Sequence, residues 1–235
     1  MAVSDEIKQE HKKLKFMTKQ EKIQYIWEYY KLHIAVTIVA IIFLSLLIHD
    51  LIEGNKPVHL YACLVNANMS TQTESTLLDD YIAYAGIDTK KENTAIDMSM
   101  HIDLDSMDQV SLAYQQKIMA LLSSKDLDVL IADNEMIQKY GEMEAFLDLE
   151  SVLPEALKDE LEKKGYEYVT CKLESGEMST IGISIGNSRV LAMDGDFGAY
   201  EQDSHPVFTI PATSVRLDQS LEFLRFLISQ DHVSE

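Results

Sequence analysis

Residues 125–140 read KDLDVLIADNEMIQKY. The short continuous apolar run at 129–132 stands between Asp128 and Asp133. Such a run suits a strand buried on both faces, as the central strands of parallel sheets are. Upstream the period changes. Over 107–122, Val110, Ala113, Tyr114, Ile118 and Leu121 recur at helical spacing. Over 95–102, Ile96, Met98, Met100 and Ile102 alternate onto one face of a strand. Leu77, Leu78, Tyr81, Ile82 and Ala85 predict a further helix, which Gly86 closes. VHLYACLV at 58–65 is nearly all apolar and predicts the first strand. The order βαβαβ predicts an α/β fold: a three-layer α/β/α domain with a mostly parallel sheet and right-handed crossovers.

Downstream the pattern is more broken. A short helix is expected at 137–140, followed by FLDL at 146–149. Pro154 opens a helix that Lys163, Lys164 and Gly165 close. Three strands are expected in YEYVTCKL (166–173), TIGISIG (180–186) and PVFTIP (206–211). A last helix follows Ser214, with Leu217, Leu221, Leu224 and Ile228 as its buried stripe and Phe223 and Leu227 widening it. The domain is expected to run from 58 to 230, leaving 231–235 as a polar tail.

The N-terminal part obeys different requirements. Residues 1–31 hold seven lysines against five acids, a net of +2, whereas the remainder of the chain carries −21 out of the total of −19. LHIAVTIVAIIFLSLLIH at 32–49 has no formal charge with its histidines neutral. At about 1.5 Å per residue it spans roughly 27 Å, close to the thickness of a hydrocarbon core. Lys31 can snorkel, and Trp27, Tyr29 and Tyr30 suit the headgroup zone. A buried core helix would carry a polar stripe. A cleaved signal would need a shorter leading region and a small-x-small site, which IHDLIEGNKP lacks. The reading is a transmembrane helix at 32–52, a cytoplasmic juxtamembrane segment at 1–31 and a linker at 53–57, with the α/β domain outside the cell by the positive-inside rule. Thr18 with Glu21 forms a capping-box pattern, and Ile23, Ile26, Trp27 and Tyr30 share a face that suits the lipid surface or a membrane partner.

Composition narrows the classes further. With 46% hydrophobic residues the chain is no disordered acidic tail. Two cysteines exclude a disulfide scaffold and a multi-cysteine zinc module. Cys63 and Cys171 both fall in strand-like segments, and either a disulfide or two buried thiols fits them. The acidic balance argues against nucleic acid as a partner.

The runs KIMALLSSKDLDVLIADNEMIQKYGEMEAFLDLESVLP (117–154) and VFTIPATSVRLDQSLEFLRFLIS (207–229) resemble one lobe of extracellular solute-binding proteins, of the periplasmic-binding type. Together they cover about 60 of roughly 180 outer residues. A complete receptor of that kind has two lobes, and this chain lacks the length for the second. With its anchor, the chain is also similar to small membrane-anchored proteins of Gram-positive bacteria. The resemblance implies that a ligand or partner meets the loops at the C-terminal ends of the parallel strands, as open α/β sheets do in general. The expected face comprises Asn66, Asn68, Ser70, Thr71, Asp133 and Asn134, with Ser214 in a third loop. A single lobe offers a shallow polar face, which suits a protein partner better than a small molecule.

Chemical motifs are sparse. Gly182-Ile183-Ser184-Ile185-Gly186 matches G-x-S-x-G, and acids and histidines follow in the order a serine hydrolase needs. A nucleophile elbow also needs a helix directly after the serine, and NSRVLAMDGDFG at 187–198 does not provide one. Asp194, Asp196, Glu201, Asp203 and His205 lie in an acidic loop without the full order of a calcium loop. Asn68-Met69-Ser70 is a lone glycosylation sequon. No cofactor or metal is expected. The functional expectation is a membrane-anchored binding or accessory protein, non-catalytic, associated with membrane lipid and with a membrane protein such as a transporter. The alternatives are a serine hydrolase acting through Ser184 and a structural subunit of a membrane complex.

Overall fold

The computed structural model describes residues 18–67, 75–106, 108–186, 188, 190–191 and 206–229. The chain divides into two units, Met1–Lys56 and Pro57–Glu235. In the first, one helix, α1 (Lys19–Gly54), runs without interruption through the charge boundary at residue 31. Its segment Tyr30–His49 is long and apolar enough to cross a membrane, and none of it is buried in the protein. The side chains of Ile23 and Ile26, read above as part of one face, lie outside the described residues.

The second unit is built on six strands: β1 (Val58–Leu64), β2 (Asn93–Asp97), β3 (Val129–Ala132), β4 (Glu167–Lys172), β5 (Met178–Ser184) and β6 (Val207–Thr209). Their order across the sheet is β2-β1-β3-β6-β5-β4. β1 pairs in parallel with β2 and β3. β3–β6, β6–β5 and β5–β4 are antiparallel. The sheet is therefore mixed, with the parallel half read from the sequence joined to an antiparallel half.

Seven helices are described, of which six belong to this unit: α2 (Leu77–Ala85), α3 (Gln109–Ser123), α4 (Asn134–Glu142), α5 (Leu149–Val152), α6 (Glu155–Lys164) and α7 (Leu217–Ile228). Alternation along the strands separates two cores. Leu60, Ala62 and Leu64 of β1 and Val129 and Ile131 of β3 join α2, α5, α6 and α7 in one. Cys63, Leu130 and Ala132 join α3 and α4 in the other. The aromatic contacts of the first core are close: Tyr81 stands edge-on to Phe223, with ring centroids 4.9 Å apart.

Two expectations about faces change. The alternation over 95–102 ends at Asp97, whose carboxylate accepts from the Ser99 backbone N–H and breaks the ladder. Met98 then packs on the first core while Met100 and Ile102 enter the second. This segment crosses the end of the sheet to place α2 and α3 on opposite faces. In α3, Ser111, Ile118 and Leu122 are buried, whereas Val110 and Ala113, expected inward, are exposed. Apolar residues occupy both sides of this helix, so the period alone does not choose its inward face.

β5 carries a bulge. Val169 and Thr170 of β4 face Gly182 and Thr180, so Ile181 is an extra residue. Simple alternation would send Ile181 to the face of Ile183; the bulge turns it into the second core instead.

Cys63 and Cys171 are both free and buried. β1 and β4 are separated by β3, β6 and β5. Four strand spacings of about 4.8 Å put the two thiols roughly 19 Å apart, far beyond disulfide reach. Burial pushes both thiol pKa values up. In the native protein neither cysteine should react with a maleimide at neutral pH, and both should react after denaturation. Mass spectrometry checks this; rapid native labelling would contradict it.

Candidate functional site

The parallel strands β1 and β3 lie side by side, while the chain leaves β1 for β2 on one side and later returns to β3 on the other. Their C-terminal ends form a topological switch point, where open α/β sheets hold ligands. Asn66 follows β1 there with φ of 60°, a left-handed conformation that asparagine tolerates. Its amide nitrogen donates to the Ile102 carbonyl at 3.0 Å, and its amide oxygen accepts from the Ile102 N–H at 2.8 Å. The same nitrogen reaches Asp133 Oδ2 at 3.4 Å. The other Asp133 oxygen caps α4 by accepting from the Met136 N–H at 2.8 Å. Asn134 is exposed on the first turn of α4. The structure thus brings Asn66, Asp133 and Asn134 together, with the first two engaged in holding the chain. Asn68, Ser70 and Thr71 lie outside the described residues.

Ser214 is not on this face. β6 runs antiparallel to β3, pairing Thr209 with Leu130 and Val207 with Ala132. The loop after β6 therefore emerges at the N-terminal end of β3. A parallel sheet, as expected from the sequence, would have put that loop beside Asp133. At the opposite end Ser214 donates to Asp128 Oδ1 at 3.0 Å, while Arg216 Nε donates to Asp128 Oδ2 at 2.8 Å. The Tyr61 N–H adds a third bond to this carboxylate at 2.9 Å. Asp128 is wholly buried. An ionised group taken out of water needs this number of donors to be tolerated.

Two further polar clusters flank β1. At its N-terminal end, His59 Nδ1 lies 2.8 Å from Glu92 and Nε2 3.2 Å from Glu222. The Tyr81 hydroxyl donates to the same Glu222 oxygen at 3.4 Å. Burial, and then the Glu222 charge, push the Tyr81 pKa up. Near the C-terminal end of β2, Lys117 pairs with Asp97 at 2.9 Å. Burial opposes ionisation of Asp97, but hydrogen bonds from Ser99 and Lys117 outweigh it and hold the carboxyl at about 2. Burial, followed by the Asp97 charge, raises the Tyr61 hydroxyl to about 12.

Ser184 is the last residue of β5 and sits between Glu167 of β4 and Val207 of β6. The first glycine of its motif has a packing reason. A Cβ on Gly182 would clash with Val207 Cγ1 and lie 3.0 Å from the Phe208 carbonyl oxygen. Close approach of β5 to β6 requires glycine there. The acidic loop with Asp194, Asp196, Glu201, Asp203 and His205 lies outside the described residues. Among the described residues, no group of three or more His, Cys, Asp or Glu is placed to hold a metal ion.

Sequence reasoning missed an open groove of about 950 Å³ between α5, α6 and the β4–β5 hairpin. Glu150, Glu155, Glu162 and Glu167 line it with Tyr166 and Tyr168. Lys158 also lines it and pairs with Glu155 at 2.8 Å. The seven-residue spacing of Glu155 and Glu162 was a legible sign that they share a face, but a solvated helix surface looks the same. No family model matches the chain, and no curated protein or solved structure matches it either.

Three outcomes follow from this geometry. Asp128→Ala removes the acceptor of three bonds and should cost about 3–5 kcal/mol in urea unfolding. Gly182→Ala should cost about 1–3 kcal/mol, since Val207 and the β6 backbone must shift. For Asp97, the folded value of about 2 lies below the ordinary 3.8, so its contribution is complete above pH 4 and is lost as pH falls toward 2. Asp97→Asn should flatten the stability profile in that window by on the order of 1–2 kcal/mol after allowing for solvent screening. Parallel pH titrations of stability in the two proteins test it.

Proposed function

We propose that this chain is a single-pass membrane protein with a cytoplasmic N-terminus, presenting a non-catalytic binding or accessory domain outside the cell. The observation that carries the reading is Tyr30–His49: a 20-residue, predominantly apolar stretch of helix, none of it buried in the protein, ahead of an acidic α/β unit that begins at Pro57. The seven lysines within residues 1–31 give the orientation. The partner is a membrane protein, such as a transporter, or a segment it exposes. The polar residues expected to receive it, Asn66, Asp133 and Ser214, already serve internal bonds. The groove lined by Glu150, Glu155, Glu162, Tyr166 and Tyr168 is the better docking surface, and its charge selects a cationic segment.

Topology is the decisive experiment. Protease added to intact cells should remove an epitope at the C-terminus and spare one at the N-terminus, both on a single membrane-bound chain. Protection of the C-terminal epitope would reject the orientation. Loss of the N-terminal epitope from the mature protein would show cleavage of a signal sequence. Glu155→Lys combined with Glu162→Lys should leave topology intact and weaken partner capture.

A further inference from the structure

The outward side of α3 is unusual for this domain. α6 carries seven charged residues in ten. In the fifteen residues of α3 there is one, Lys117, and it is held by Asp97. Opposite the buried Ser111, Ile118 and Leu122 runs a stripe without charge: Gln109, Leu112, Ala113, Gln116, Met119, Ala120 and Ser123. Leu112 is 45% exposed and Met119 42%. A surface helix normally covers this side with charge.

We propose that this stripe is the contact between two copies of the chain, packed as antiparallel α3 helices about a two-fold axis through Gln116. The stripe is self-complementary about that residue. Leu112 of one copy meets Ala120 of the other, and Met119 meets Ala113, so each large side chain lies against a small one. Gln116 meets itself, and an amide both donates and accepts. Asp105 and Asp108 precede the helix, and Lys125 and Asp126 lie just beyond its end. A parallel pair would bring the acids of the two N-terminal ends together, whereas an antiparallel pair sets them against an end where Lys125 balances Asp126.

Electrostatics selects a second copy over other occupants. The chain beyond residue 31 carries −21, so two copies repel wherever carboxylates meet. The α3 stripe is a place where they approach without that cost. An anionic lipid surface would need free cations on this face, and Lys117 is already paired. Two helices of 15 residues, each about 22 Å long, bury less than the roughly 1,200 Å² of a stable standard interface. The dimer is therefore weak in dilution and strengthens where copies are concentrated on one surface.

Cysteine crosslinking in the full-length chain, in the cells that express it, tests the pairing. The native Cys63 and Cys171 are buried and do not interfere. At helix separations of about 8–10 Å, the two residues at position 116 fall within disulfide reach. With copper-phenanthroline, Gln116→Cys should yield a disulfide dimer of twice the chain mass, about tenfold more than Lys163→Cys on α6. Adding Leu112→Glu should reduce it by a similar factor while the monomer keeps its unfolding midpoint. No dimer from Gln116→Cys, equal dimer from Lys163→Cys, or a crosslink to a chain of different mass overturns the proposal.

Discussion

Everything in the α/β unit depends on how β3 is enclosed. Its four residues are wholly buried on both faces. It has a parallel neighbour on one side and an antiparallel neighbour on the other. A strand so placed cannot slip by one residue without exchanging Val129 and Ile131 with Leu130 and Ala132 between two different cores. Asp128 and Asp133 fix both its ends, the first through Arg216, Ser214 and the Tyr61 backbone, the second as cap of α4. Acids bracket the apolar run because each meets donors supplied by segments distant in sequence.

The same economy explains why the polar loop residues make a poor receptor face. Asn66 joins β1 to the segment that carries the chain from one core to the other, and both ends of its amide are committed to Ile102. A ligand that engaged it would have to break that clasp. The acidic groove beside α6 and the bare stripe on α3 carry no such duty. One is rich in charge and the other almost free of it, so the partners proposed for them differ: a cationic segment for the groove, another copy for the helix.

Much of the fold was legible in the sequence because local signals agreed with tertiary demands. Gly86 and Gly165 adopt the left-handed caps that their positions announced, with φ of 66° and 74°. The apolar runs at β1 and β3 could not be satisfied except by burial. Periodicity failed where apolar residues appear on every side, as in α3, and where a strand ends within an alternating run, as at Asp97. Ser214 was misplaced because strand direction is not encoded locally: nothing in VFTIP says whether it runs with β3 or against it. The groove was invisible for a similar reason, since Glu155 and Tyr168 come together only when α6 packs beside β4.

Local patterns along the chain are enough to give the two-unit division, the apolar helix and the βαβαβ half of the sheet. Each follows from burying or exposing contiguous side chains, which is a property of short windows. The direction of β6, the end of the sheet at which Ser214 lies, the separation of the two thiols and the exposed side of α3 emerge only in the folded chain. These depend on which distant segments pack together. That choice is settled by the joint filling of two cores and by the need of buried Asp128 for donors, which no single stretch of sequence contains.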